Sequence, residues 1–195
     1  PGQRSSSGKC TPPFRRYDMK PFSYDASPAR IVFGQGMIDT IAEEVRRLGR
    51  SRVMVLASRR LDAVAAAVTE SLGDMAVARF DGAVMHTPIE VTTAALRLAE
   101  NHHVDTVVAI GGGSATGLSK ALALRAGFDQ IVVPTTYAGS EVTPVLGETE
   151  NGRKTTRSSP HIRPETVVYD VDLTLDLPLD TTVTSAVNAM AHAVE

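Results

Sequence analysis

Tryptophan is absent, cysteine occurs once, and aromatic residues make up only 5% of the 195 residues. With Cys10 as the lone cysteine, no internal disulfide can form. Stability must come from a core, and the chain suits a reducing, cytoplasmic compartment. There is no run of about 18 apolar residues, so no helix of that kind is expected to span a membrane. An excess of charge of one sign is missing too. Lys and Arg total 20 against 22 Asp and Glu, a net charge of −2. That excludes a generally basic nucleic-acid binder and a strongly acidic disordered chain. What is present is an ordinary globular mixture, 43% hydrophobic and 22% charged. Its length can bury a sizeable core without disulfide or structural metal.

Residues 1–18, PGQRSSSGKCTPPFRRYD, lack apolar periodicity and read as a disordered leader or an added tail. Met19 reads as the natural start. From there apolar runs and amphipathic stretches alternate. RIVFG, VMVLA, TVVAI and the run at Ile131 to Val133 read as strands. Between them, apolar residues at helical spacing end at Gly49, Gly73 and Gly127. The pattern predicts an α/β fold, a Rossmann-like parallel sheet with helices on both faces, over residues 19–179. Asn151-Gly152 between two polar runs predicts a hairpin. Thr87-Pro88-Ile89-Glu90 predicts a capped helix start, with Thr87 as cap and Glu90 closing a capping box. The final run, SAVNAMAHAVE, carries no stop signal before Glu195. Residues 180–195 therefore read as the first helix of a truncated all-helical domain. Val183, Ala186, Val187, Met190 and Val194 form a stripe expected to lack its packing partners.

The chemistry concentrates at the ends of strands. Gly111-Gly112-Gly113-Ser114 joins a buried strand to a helix. Glycines allow close backbone approach, and a helix N-terminus offers free N–H groups to a phosphate. Neither GxGxxG nor the P-loop pattern fits, because Thr116 and Leu118 occupy the decisive positions. The same residues also suit a tight turn with no ligand. The next strand ends in PTTYAGSE, and Thr135, Thr136 and Ser140 bring hydroxyls to the same sheet edge. Thr87 precedes a helix at that edge and is a candidate nucleotide contact. Ser58 and Arg59, with Arg60, end an earlier strand, where arginine can accept a 2′-phosphate. Asn188 and His192, four apart, share a helix face. A neutral amide is a poorer metal ligand than a carboxylate. His102-His103 reads as a solvated helix end.

GGGSATGLSKALAL, IVVPTTYAGSEVTPVLGET and YDVDLTLDLP…NAMAHAVE, in this order, resemble the maleylacetate reductases. These are a branch of the iron-containing alcohol dehydrogenase superfamily. The resemblance runs from Met19 to Glu195. It implies a dinucleotide-binding domain followed by a helical domain, with the active site between them. Metal-dependent members usually carry aspartate where Gly117 stands and a longer PTTAGTGSE loop. They bind metal through an aspartate and three histidines. Asn188 stands at the aspartate position and His192 at the first histidine. The resemblance therefore implies an enzyme with no metal.

It further implies NADH or NADPH as cofactor, with Gly112, Gly113 and Ser114 at the pyrophosphate and Lys154 near the ribose. The implied reaction is reduction of the C=C bond of maleylacetate to 3-oxoadipate, in degradation of aromatic compounds. Asn188 and His192 would stabilise the enolate that hydride addition creates. The substrate is a small dicarboxylate, and the full-length protein is expected to be a homodimer. Neither nucleic acid nor a membrane is an expected partner. Two other readings stand beside this one: a metal-dependent alcohol or polyol dehydrogenase of the same superfamily, and a nucleotide-binding module without activity of its own.

Overall fold

Apolar strands with little polar interruption become the interior of a parallel sheet, and this determines where every loop can lie. The computed structural model describes residues 29–150 and 152–194. The expected leader at 1–18 and the start at Met19 lie outside the described residues. Along the chain, β1 (Arg30–Gly34), α1 (Ile41–Arg47), β2 (Val53–Ala57) and α2 (Asp62–Leu72) lead into β3 (Ala76–Phe80) and α3 (Ile89–Asn101). Then come β4 (Thr106–Gly111), α4 (Gly113–Ala126), β5 (Asp129–Pro134), β6 (Val145–Glu150), β7 (Arg153–Ser158), β8 (Thr166–Asp170) and α5 (Leu179–Val194). Among the described residues no helix is long and apolar enough to cross a membrane.

Six strands form one sheet in the order β1-β8-β5-β4-β2-β3, with every neighbouring pair parallel. β2 and β4 are buried along their whole length. Successive side chains point to opposite faces. Val53, Val55 and Ala57 pack with Val108 and Ile110 against Ile41, Val45, Ala65 and Val68 of α1 and α2. Met54, Leu56, Val107 and Ala109 pack against Ala95, Ala99, Leu118 and Leu122 of α3 and α4. The predicted α/β sheet with helices on both faces is what the chain forms. β6 and β7 form the predicted hairpin, as a separate antiparallel pair. α4 ends where Gly127, at φ 69°, donates its N–H to Ala123 O at 2.8 Å.

The edge of the sheet is tied down electrostatically. Glu44 of α1 accepts from Arg30 of β1 and from Arg47, both at 2.8 Å. Arg47 also reaches Thr166 of β8 at 2.7 Å. Burial alone would raise the Glu44 pKa, but the two guanidiniums prevail and hold it below the ordinary carboxylate value.

The predicted start of α3 is corrected. Thr87 is not its cap and no capping box forms: the helix begins at Ile89 after Pro88, with no side-chain cap. Thr87 takes a positive φ of 42°. Its carbonyl accepts from Thr149 N of β6 at 3.3 Å. That contact ties the turn before α3 to the hairpin and holds Thr87 out of a capping conformation.

Candidate functional site

Strand order places the site. From β3 the chain crosses back over β2 to enter β4, so the order reverses between β2 and β4. At such a switch point the loops leave in opposite directions and open a crevice at the carboxyl ends of the strands. Ser58 follows β2 and Gly112 follows β4 at this crevice.

α4 opens there with Gly112 as its N-cap residue and no capping side chain. The first N–H groups of a helix have no partner within the helix. Above Gly113 there is open space: a Cβ built there meets nothing within 4 Å. At Gly112 a Cβ would come within 2.9 Å of Thr136 Cγ2 and Oγ1. Glycine there lets the β5 loop close over the turn. Two clefts meet at this helix end. An outer cleft of about 550 Å³ includes Ser58, Arg60, Gly112, Gly113, Ser114, Thr135 and Thr136 in its lining. An inner cleft of about 410 Å³ includes Thr87, Gly113, Ser114, Gly117, Ser140 and Lys154. Met85, Gly113 and Ser114 belong to both, so the two form one groove across the helix N-terminus.

Most of the predicted contact residues therefore come together. Arg59 is an exception: it is exposed and its guanidinium lies 3.8 Å from Asp81, while Arg60 lines the outer cleft. Asn188 of α5 lines the inner cleft, and its Nδ2 donates to Ala138 O at 2.6 Å. His192 lies one turn further along α5, and its side chain is outside the described residues. His102 and His103 stand away from the groove, their carbonyls accepting from Arg52.

Lys120 is a residue of the cleft that the sequence did not single out. It is 1% exposed, below the floor of the inner cleft. Its Nζ donates to Thr143 O at 2.7 Å, to Val145 O at 2.9 Å and to Ser140 O. Burial pushes its pKa down to about 8, partly offset by Glu141. Glu141 is itself buried and accepts from the Tyr169 hydroxyl at 2.9 Å. Burial, with Glu141 beside it, pushes the Tyr169 pKa up. Lys120 and Tyr169 thus pin the Ser140–Val145 segment from two sides. The available signal was a lysine inside the otherwise apolar run of SKALAL. Met85 and His86, both lining the inner cleft, carried no signal at all.

Comparison with known proteins places this geometry. The family model of iron-containing alcohol dehydrogenases matches residues 28–171. The chain belongs to the iron-containing alcohol dehydrogenase family. It is 58% identical to maleylacetate reductase 1 of Rhodococcus opacus over 174 residues, 89% of this chain and 49% of that protein. The maleylacetate reductase of Agrobacterium tumefaciens superposes with a TM-score of 0.88 at 55% identity, covering 91% of this chain and 51% of that one. An iron-containing alcohol dehydrogenase of Corynebacterium glutamicum superposes with a TM-score of 0.85 at 39% identity, covering 91% and 49%. The chain spans about half the length of these relatives.

These matches correct the expectation that no metal is needed. The family is an iron-containing one, as is the Corynebacterium enzyme, and both point to a metal cofactor. The described residues do not by themselves fit a metal ion. Among them no three His, Cys, Asp or Glu side chains come together. Asn188 offers an amide already engaged with Ala138. The groove does fit a diphosphate-bearing ligand, which would meet free helix N–H groups, the Ser140 and Thr87 hydroxyls and the Lys154 ammonium.

Proposed function

We propose that the chain forms the NAD(P)H-binding part of a maleylacetate reductase, an oxidoreductase that reduces the C=C bond of maleylacetate to give 3-oxoadipate. The observation that carries this is the single groove across the uncapped N-terminus of α4, at the switch point of the sheet. The identity of 55–58% to maleylacetate reductases supports the choice of substrate. Gly112, Gly113 and Ser114 hold the pyrophosphate through backbone N–H groups. Ser58, Arg60, Thr135 and Thr136 flank one nucleoside; Thr87, Ser140 and Lys154 flank the other. Asn188, held by Ala138, faces the inner end. A bound reduced nicotinamide supplies the hydride. The dicarboxylate substrate, a homodimeric full-length enzyme and a cytoplasmic location belong to the same proposal.

The test is direct. The intact protein should oxidise NADH or NADPH when maleylacetate is added, and should do little with simple alcohols and NAD. Fast alcohol oxidation without any response to maleylacetate would replace this reading with an alcohol dehydrogenase.

A further inference from the structure

Residues 136–143, between β5 and β6, run between two cavities. The inner cleft lies on one side, lined by Ala138 and Ser140. A mostly apolar cavity of about 280 Å³ lies on the other, lined by Tyr137, Gly139 and Glu141. A segment with open space on both sides depends on directed bonds for its position. Among the described residues, the hydrogen bonds leaving it go to three places. Lys120 Nζ of α4 donates to Thr143 O at 2.7 Å, to Thr143 Oγ1 at 3.1 Å and to Ser140 O. The Tyr169 hydroxyl of β8 donates to Glu141 Oε1 at 2.9 Å. Ala138 O accepts from Asn188 Nδ2 of α5 at 2.6 Å.

The first two anchors stand in the core. Lys120 rises from α4 among buried Leu118, Ala121 and Leu122, and Tyr169 belongs to a strand flanked by β1 and β5. An ammonium carries three N–H groups, and here they meet three backbone carbonyls, those of Ser140, Thr143 and Val145. Ala138 lies two residues before Ser140, across Gly139 at φ 77°. The carbonyl that receives Asn188 is therefore set by what holds Ser140 and Glu141. An asparagine amide has two N–H groups. Ala138 O takes one and leaves the other for a ligand in the inner cleft, which Asn188 lines.

We propose that Lys120 and Tyr169 are positioning residues for the reaction, placing the Asn188 amide at the inner cleft through residues 136–143 and the Ala138 carbonyl. This rests on the reductase reading above, with Asn188 stabilising the enolate that hydride addition creates. Neither Lys120 nor Tyr169 has to touch the substrate. Both act from the α/β core on a donor that belongs to the next helix.

The experiment measures single-turnover hydride transfer from NADH to maleylacetate, at saturation, on the intact protein, with amide hydrogen exchange alongside. Lys120→Met should slow transfer about tenfold and Tyr169→Phe about threefold, the cost of a misplaced donor. Asn188→Ala should slow it at least as far as Lys120→Met. Adding either substitution to Asn188→Ala should slow it by less than about twofold more, because both act through that amide. Amides of residues 138–143 should exchange faster in Lys120→Met and Tyr169→Phe, while those of β4 and β5 keep their protection, which also reports folding. Tyr169→Phe leaves every Lys120 bond in place and carries the same test should Lys120→Met fail to fold. Losses that multiply in the double variants, or faster exchange with unchanged transfer, overturn the proposal alone. Unchanged transfer in Asn188→Ala overturns the role of Asn188 and the proposal with it, and leaves the reductase reading standing. A wild-type protein that transfers no hydride to maleylacetate overturns that reading as well.

Discussion

Helices α4 and α5 are both rich in alanine and small hydroxylated residues, with leucine in α4 and valine in α5, yet their surroundings among the described residues are opposite. In α4 nearly every residue from Ala115 to Ala123 is buried. Its polar residues are satisfied inside: Ser119 Oγ donates to Gln130 Oε1 at 2.7 Å, and Lys120 takes the carbonyls of the Ser140–Val145 segment. In α5, Leu179 is 76% exposed and Met190 68%, with Val183 and Val187 also exposed. Apolar content alone does not separate the two. Position does: α4 follows β4 in the middle of the sheet, with β5 and α3 beside it. α5 follows β8, the last described strand, and the chain spans about half the length of its relatives. A helix surrounded by structure can hold a site rigidly. Among the described residues, Asn188 of α5 is held by one hydrogen bond, to Ala138.

The largest effect that would break this comparison is on stability. Leu118→Ala in α4 should cost about 2–5 kcal/mol, because it opens a cavity in a close-packed core. Val187→Ala in α5 should change stability by less than about 0.5 kcal/mol. Chemical denaturation of both variants checks this, and equal losses would mean that α5 is as tightly held as α4.

A smaller effect is expected at Lys120. Lys120→Met leaves three carbonyls without their donor and should cost about 2 kcal/mol near neutral pH. The pH dependence has a definite sign. The folded value lies near 8 and the ordinary one at 10.5, so the folded protein releases this proton first. The unfolded state then binds more protons, and the stability contributed through Lys120 rises with pH across that window. The denaturation midpoint of the wild type should pull away from that of Lys120→Met between pH 8 and about 10. A gap that narrows instead would show that the folded pKa is not depressed.

The smallest effect belongs to Asn188. Asn188→Ala removes one bond on an exposed helix and should cost no more than about 1 kcal/mol. Thermal melting measures it, and a loss as large as that at Leu118 would place α5 among the core elements.

What was legible in the sequence follows the same division. VMVLA and TVVAI announced buried parallel strands because both faces are apolar, and Asn151-Gly152 announced the hairpin by turn chemistry. The GGGS turn was legible because glycines between strand and helix have few other uses. Thr87 was misread because its residue type suits a cap, and the contact from Thr149 that overrides it is distant in sequence. Lys120 was missed because a lysine in a helix reads as surface until the covering loop is known. The sequence pointed to Arg59 as readily as to Arg60; only the exposed approach of Arg59 to Asp81 separates them. The expectation of a metal-free enzyme rested on Asn188 and Gly117, two positions in a family whose name specifies iron.

The pairing of β1 with β8 has a consequence for how the protein is made. The first strand of the sheet is completed by its last, with Arg30 opposite Thr166 and Gly34 opposite Asp170. The Asp170 carboxylate also accepts from the backbone N–H groups of Gly36 and Ile38, 134 and 132 residues earlier. Among the described strands, β1 has no neighbour until β8 has been synthesised. Closing so long a loop is slow, and long-range parallel pairing lowers folding rates generally. Until then β1, carrying Ile31 and Phe33, lacks its only pairing partner among the described strands. An unpaired strand edge is a template for other chains. Yield in a heterologous host should therefore depend on chaperone supply more than the finished fold would suggest.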